Sequence, residues 1–486
     1  MRLLASGVAA AVAASLALAA AFPALAQDAS AVLRRASAAM GADDLNTLRY
    51  TGSGNGASYG QAFRPDTRWP KVAISSFTRQ IDYAAAAMQE DSMRSRAEKQ
   101  GGGAVPIAGE ARAVGVVSGA YAWNVQGPLA IPRQAARAQR LHDLWTTPHG
   151  VIKAAQRNGA TVKWVGTVGK ELAAVSFAEK GVMRATAYFN DQYFVERIES
   201  RMPDPVMGDT PVLTEYWDYR ELGTIRFPMR MRQTIAGTPV LDIEVREVQP
   251  NAPVALQVPE IVRARRESVS VEKAAGGVWF FAGGSHNSAA IEMKDYLVLV
   301  EAPLHDGRAL AVMRELRRLV PDKPIRYVVN SHHHFDHSGG LRAAVGEGAG
   351  LIVQAQAKPW YEKALANPNR IAPDHLARSG RKPQVVPVND KLVLDDGARK
   401  VEVHRIRPSE HVDTFLMVYL PAERLLIQAD AFTPGAPGAP PPAPPNNHNA
   451  LTLVENIERL KLRVDRHLPL HGRIVPNAEL YRAAGK

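Results

Sequence analysis

Between Ser331 and Gly340 the chain reads Ser-His-His-His-Phe-Asp-His-Ser-Gly-Gly, and no other stretch limits its fold so tightly. The apolar run Ile325-Arg326-Tyr327-Val328-Val329 ahead of it predicts a buried strand. The Gly339-Gly340 step and Leu341-Arg342-Ala343-Ala344-Val345 behind it predict the first turns of a helix. The motif therefore belongs on a loop at the C-terminal end of a strand, where α/β proteins build their sites. Residues two apart on an extended segment point the same way, so His332 and His334 offer two imidazoles to one cation. Phe335 then turns the chain, and Asp336 and His337 leave toward a second cation. His333 falls on the opposite side and is not read as a ligand. Neutral imidazole and carboxylate suit zinc, and also iron or manganese.

Further ligands are expected downstream at other strand ends. His411 precedes the strand-like run Val412 to Leu420, Asp430 ends the apolar run Leu425 to Ala429, and His471 follows Leu468-Pro469-Leu470 and precedes Gly472. From about Glu272 to its end, this set in this order resembles the metallo-β-lactamase superfamily. The resemblance implies an α+β architecture, an αββα sandwich of two mixed sheets faced by helices. Its opening strands would be Gly277–Phe281, Ala289–Met293 and Tyr296–Val300. It implies that His332, His334 and His411 hold one metal and that Asp336, His337 and His471 hold the other, with Asp430 bridging. The family usually ends its third opening strand with Asp as a structural anchor; this chain has Glu301 there.

A hydroxide held between two divalent cations is a nucleophile at neutral pH, since one zinc alone lowers the pKa of water from 15.7 to about 7. Asp336 would orient it as well as ligate. The expected reaction is hydrolysis of an ester, lactone, thioester or amide in a small-molecule substrate. The cofactors are two divalent metal ions, zinc first, with iron or manganese as the other candidates. The chain has no cysteine, which excludes thiol catalysis and thiolate ligation, and no G-x-S-x-G elbow. Asp430 resembles the lactonases, hydroxyacylglutathione hydrolases and phosphodiesterases of the fold rather than the true β-lactamases, which usually carry Cys or Ser there; β-lactam cleavage is left as a minor activity. His334 stands where the di-iron redox relatives usually carry Glu. The rival readings are an iron-dependent redox member of the fold and a periplasmic binding or carrier protein with a structural metal domain. His404 reads as a packed strand residue, and His286 and His448 as loop residues within reach of the mouth of the site.

The 486 residues allow a signal peptide over 1–26, a β-rich domain over 27–265 and the metal-binding domain over 266–486. Arg2, the small apolar residues 3–21 and Ala24-Leu25-Ala26 form a cleavable export segment. The expected location is the periplasm or outside the cell. No other apolar run is long enough to span a bilayer. The formal charge of +11 favours anionic substrates. No nucleic-acid motif is present, and Arg133, Arg137 and Arg140, on one helix-like face, read as a solvated basic surface.

In the N-terminal half, Val32, Leu33, Ala36 and Met40 share a helical face that Gly41 ends. Gly52 to Gly56 reads as a flexible turn, and Gly101-Gly102-Gly103 as an interruption of a hairpin. After Asn158-Gly159 the pattern turns to strands: Thr161–Val165, Ala185–Phe189, Tyr193–Ile198, Thr224–Met229 and Val240–Val245. One curved antiparallel sheet wrapped on a helix is expected, similar to the half-barrel domains of periplasmic lipoprotein carriers. Pro250–Pro253 and Val258–Glu260 read as the interdomain linker. Pro434 to Pro445 reads as a stiff rim beside the site.

Overall fold

Alternating burial along its strands drives the N-terminal part of the chain into one antiparallel sheet, seen in a computed structural model that describes residues 28–98, 109–168, 171–440 and 447–486. The export segment, Gly101-Gly102-Gly103, and residues 441–445 of the proline tract lie outside the described residues. Among those described, thirteen strands pair in two meanders. One runs outward from Thr47–Ala57 to Leu129–Pro132, and the other returns from Lys163–Val168 to Thr238–Pro250. The first strand then pairs with the last, Leu48 opposite Pro250 and Gly56 opposite Leu241.

The sheet must curve. The helix Arg137–Trp145 is about 14 Å long at 1.5 Å per residue. Its Arg140 donates to the Val116 and Trp123 carbonyls, while its His142 meets Ser200 Oγ at 2.8 Å. The strands of Val116 and Ser200 are seven places apart in the sheet order, roughly 33 Å across a flat sheet at ~4.7 Å per strand. Only a sheet wrapped around the helix brings both within reach. Ala29–Met40 and Pro148–Arg157 complete the filling of this core. Gly41 ends the first helix at φ 67°, in the left-handed region that favours glycine.

Three expectations need correction. Strands begin at Thr47, not after Asn158, because the early ones are broken by polar and glycine positions that hide their period-two pattern. Gly52 to Gly56 is strand, not turn: a Cβ on Gly54 would sit 2.0 Å from the Asp242 carbonyl oxygen and one on Gly52 2.4 Å from that of Glu244. These glycines admit close backbone approach beside register shifts. Gly54→Ala is accordingly expected to lower the urea midpoint, at a cost of about 1–3 kcal/mol for overpacking; an unchanged midpoint in denaturant titration would contradict this contact. Arg140, last, is no solvated surface residue. It is clamped to two carbonyls and Asn124, and burial lowers its guanidinium to about 10.

The C-terminal part forms two mixed sheets, one of seven strands from Ser270–Ala275 to Val385–Val388 and one of six from Lys391–Asp395 to Val475–Pro476. The expected opening strands are present as Val278–Ala282, Ser288–Glu292 and Leu297–Val300. In the last of these, Val298 and Val300 face the second sheet, while Leu297 and Leu299 face the helices Asp306–Leu319 and Leu341–Gly346. This is the α+β sandwich expected, with both faces of the central strands buried. The linker is partly helical, Glu260–Ala264, and its Val262 packs on Val114 and Trp123 of the N-terminal sheet. No helix among the described residues is long and apolar enough to cross a membrane.

Candidate metal centre

One edge of the sandwich collects all the site residues, at or just past the ends of some strands and on the loops that enter others. Ile325–Val329 runs into the histidine motif, whose short helix Phe335–Ser338 begins where Phe335 was expected to turn the chain. His411 lies on the loop before Leu416–Leu420. Asp430 lies just beyond Leu425–Gln428, and His471 just beyond Arg466–Pro469.

Two groups of side chains form. In the first, His332 Nε2 lies 3.0 Å from His334 Nδ1 and 3.2 Å from His411 Nε2, and Asp430 Oδ2 lies 3.1 Å from His411 Nε2. In the second, His337 Nε2 lies 3.2 Å from His471 Nε2, and Asp336 Oδ2 lies 3.2 Å from His286 Nε2. Within each group the ligating atoms lie within 4.8 Å of one another. Asp430 belongs to both: its Oδ1 is 2.9 Å from His337 Nε2 and from His471 Nε2. All seven residues expected to ligate are therefore brought together in the expected division.

His286 also joins the second group, although its sequence position placed it only in a loop within reach of the mouth of the site. The available signal was its place just before the strand Ser288–Glu292, at the same sheet edge. His333 points away to Thr414 Oγ1 at 2.9 Å and His404 to Glu402 Oε2 at 2.8 Å, so neither joins. His448 opens the helix His448–Arg459, 3.3 Å from Glu410, outside both groups.

The outer partners fix which ring nitrogen is free. Glu301 is fully buried and accepts from Asn330 Nδ2 (2.7 Å), Ser331 N (2.9 Å), Ser331 Oγ (2.8 Å) and His337 Nδ1 (2.7 Å). With its proton given to Glu301, Ser331 Oγ accepts from His332 Nδ1 at 2.9 Å. His471 Nδ1 donates to the Ser285 carbonyl at 3.1 Å and His334 Nε2 to that of Ala62 at 3.0 Å. Each leaves its other nitrogen turned into the site, the arrangement by which outer partners orient metal-binding histidines. Glu301, at φ 69°, thus does the anchoring expected of the family's Asp.

Burial holds His332 and His334 well below the usual imidazole range, reinforced by neighbouring rings, and takes His286 down to about 4 and His333 to about 3. Burial pushes Asp336 and Asp430 up, but the adjoining His337 outweighs it and both lie below the usual carboxylate range. Burial also works against charge on His337, yet Asp430 and Asp336 keep it well above the ordinary value. Two ionised carboxylates facing a cluster of ring nitrogens form a donor set for divalent cations, and the second proton that they hold on His337 is the one a cation would displace. Asp430 Oδ1 supports that fit: it is buried and close to two imidazoles, yet in hydrogen-bond geometry with neither. A cation held by Asp430, His337 and His471 would satisfy it.

Residues 282–471 match the model of the metallo-beta-lactamase superfamily. A linear primary-alkylsulfatase from Pseudomonas sp. (strain ATCC 19151) is 25% identical over 225 residues, covering 39% of this chain and 42% of the relative. The match thus spans under half the length of that relative. Among solved structures, a metallo-beta-lactamase from Pontibacter korlensis aligns at 15% identity and TM-score 0.34, covering 45% of this chain and 98% of its own. The mono-zinc form of the metallo-beta-lactamase FIM-1 from Pseudomonas aeruginosa aligns at 20% identity and TM-score 0.32, covering 45% and 93%.

Proposed function

We propose, from the premise that the C-terminal domain belongs to the metallo-β-lactamase superfamily, that this protein is an exported metal-dependent hydrolase with a dinuclear centre that cleaves an ester-type bond in a small anionic substrate. One observation carries the reading: the two oxygens of Asp430 face two separate clusters of nitrogen and carboxylate donors. His332, His334, His411 and Asp430 Oδ2 would hold one ion. Asp336, His337, His471, His286 and Asp430 Oδ1 would hold the other. Bound there, divalent ions, zinc first and iron or manganese after it, supply an acidified water and a Lewis acid for the scissile group. The protein's own part is to desolvate and orient the donors, and to let Asp336, half-buried, fix the attacking water's direction.

A cavity of 590 Å³ opens beside Asp430, lined by Phe432 and Thr433, the segment Gly435 to Pro440, and Arg473 and Arg482. The described part of the proline tract therefore forms a wall of the adjoining space, as a rim would. Arg473 is paired with Glu479, which also lines this cavity, so the apolar wall suits a hydrocarbon part, and Arg482 with the chain's net positive charge an anionic one. The relative named an alkylsulfatase adds a sulfate ester to the carboxylic ester, lactone, thioester and amide candidates. Export is supported by Ala24-Leu25-Ala26.

Protein recovered from the periplasmic fraction, starting at Gln27 or Asp28, is expected to carry about two equivalents of metal and to hydrolyse at least one of these substrate classes. The assay is a panel of nitrophenyl esters, lactones, thioesters, amides, an alkyl sulfate and a β-lactam, beside elemental analysis. Less than one equivalent after loading, or no turnover on any substrate while metal is bound, would overturn the reading. Oxygen consumption with iron bound would favour the redox rival.

A further inference from the structure

The connection between the strands Thr47–Ala57 and Lys71–Asp82 leaves the N-terminal sheet and lies along the histidine motif, residue against residue. The Gly60 carbonyl accepts from Phe335 N at 3.2 Å, and the Phe63 carbonyl from Asp413 N at 3.0 Å. Between them, Gln61 Nε2 donates to Asp336 Oδ1 at 2.9 Å and the Ala62 carbonyl accepts from His334 Nε2 at 3.0 Å. This is no glancing contact. Phe335 is packed edge-on against Tyr59 (5.2 Å between ring centres) and Trp69 (6.0 Å), which pack on each other at 4.6 Å. Gly60 has φ +73°, and a Cβ there would stand 2.4 Å from Phe335 Cγ. Tyr59 Oη donates to the buried Asp204 at 2.6 Å, which also accepts from Val206 N and Met207 N. The same hairpin is tied to the sandwich by Asp209, which accepts from Arg370 N and Ile371 N.

The chemistry of these two contacts is specific. A carbonyl only accepts, so His334 must carry its proton on Nε2 and present Nδ1 to the first group. A carboxylate also only accepts, so the carboxamide of Gln61 is oriented with its NH2 on Asp336 Oδ1. Oδ2 is then the oxygen left facing His286 and His337. One loop from the other domain thus addresses one ligand of each group.

We propose that Gln61 is a positioning residue of the metal centre, selecting the Asp336 oxygen offered to the second ion. The proposal rests on the dinuclear reading above. Outer partners of this kind are worth about 10–100-fold in metal affinity.

The test uses the full chain, stripped with a chelator and titrated with Co2+, whose visible absorption reports ligand geometry at each equivalent; competition with Zn2+ gives affinities. The unaltered protein is expected to take two equivalents. In Gln61→Ala the first equivalent is expected to bind as before, and the second about 10–100-fold more weakly with an altered spectrum. kcat should fall while KM holds. Gln61→Glu, the same shape with a like charge beside Asp336, should be worse still, and its matching bulk controls for local collapse. If both variants take the second Co2+ with unchanged affinity and spectrum, the proposal is wrong and the dinuclear reading stands. If the unaltered protein fails to take two equivalents, both fall before any variant is compared.

Discussion

Replacing Asp430 with Asn is expected to lower kcat/KM by about a thousandfold or more, beyond the 10–100-fold typical of losing an outer partner. The amide keeps the volume of the carboxylate but not its charge, and it turns an NH2 toward one of the groups it faces. At present Oδ1 stands 2.9 Å from both His337 and His471, and Oδ2 3.1 Å from His411. Both groups should lose affinity together, because they share this one side chain. Elemental analysis should fall below two equivalents per chain, with an unchanged circular-dichroism spectrum showing that the sandwich persists. A variant holding two equivalents and near-normal turnover would mean that Asp430 is not shared between ions.

Glu301→Ala should produce the largest loss of stability. The carboxylate is fully buried and receives hydrogen bonds from Asn330, Ser331 and His337. Truncation leaves those donors without an acceptor in a dry interior, and breaking a buried charged network in this way costs about 3–5 kcal/mol. It should also free His332 and His337 to change tautomer, since Glu301 fixes one directly and the other through Ser331. Thermal unfolding monitored with and without added zinc checks both effects: a lowered midpoint, and a smaller rise on adding metal. Glu301→Asp should recover only part of the loss, since it is one methylene short of the same donors. A midpoint within error of the unaltered protein's would refute the anchoring role.

Much of this centre was legible because its ligands sit beside apolar strand runs. Ile325–Val329, Leu425–Gln428 and Arg466–Pro469 each deliver a donor at or just past a strand end, so local patterning predicts where the donors go. His286 carries a weaker mark, since it precedes its strand instead of ending one, and its role depends on a loop folding back over Asp336. The N-terminal strands were harder for a different reason. Gly52 to Gly56 reads as a turn by its glycines, yet Gly52 and Gly54 are there because the carbonyls of Glu244 and Asp242 approach too closely for any Cβ. Arg140 misleads similarly, since a charged residue at helical spacing looks solvated until the sheet curls over it. Gln61 and Ala62, neither of them a usual metal-ligand type, gave no sign of their place against His334 and Asp336.

The pairing of Thr47–Ala57 with Thr238–Pro250 has a kinetic consequence. Among the described strands the two meanders hydrogen-bond to each other only at that seam, so the earliest strand of the domain waits for nearly two hundred residues of synthesis before its second neighbour exists. Until then each half exposes a long unpaired edge, the kind that recruits other chains. Such distant closure is slow in refolding. Aggregation of this protein should therefore be governed by how quickly that last hairpin arrives, and chains broken off before Thr238 should be found insoluble rather than half-folded.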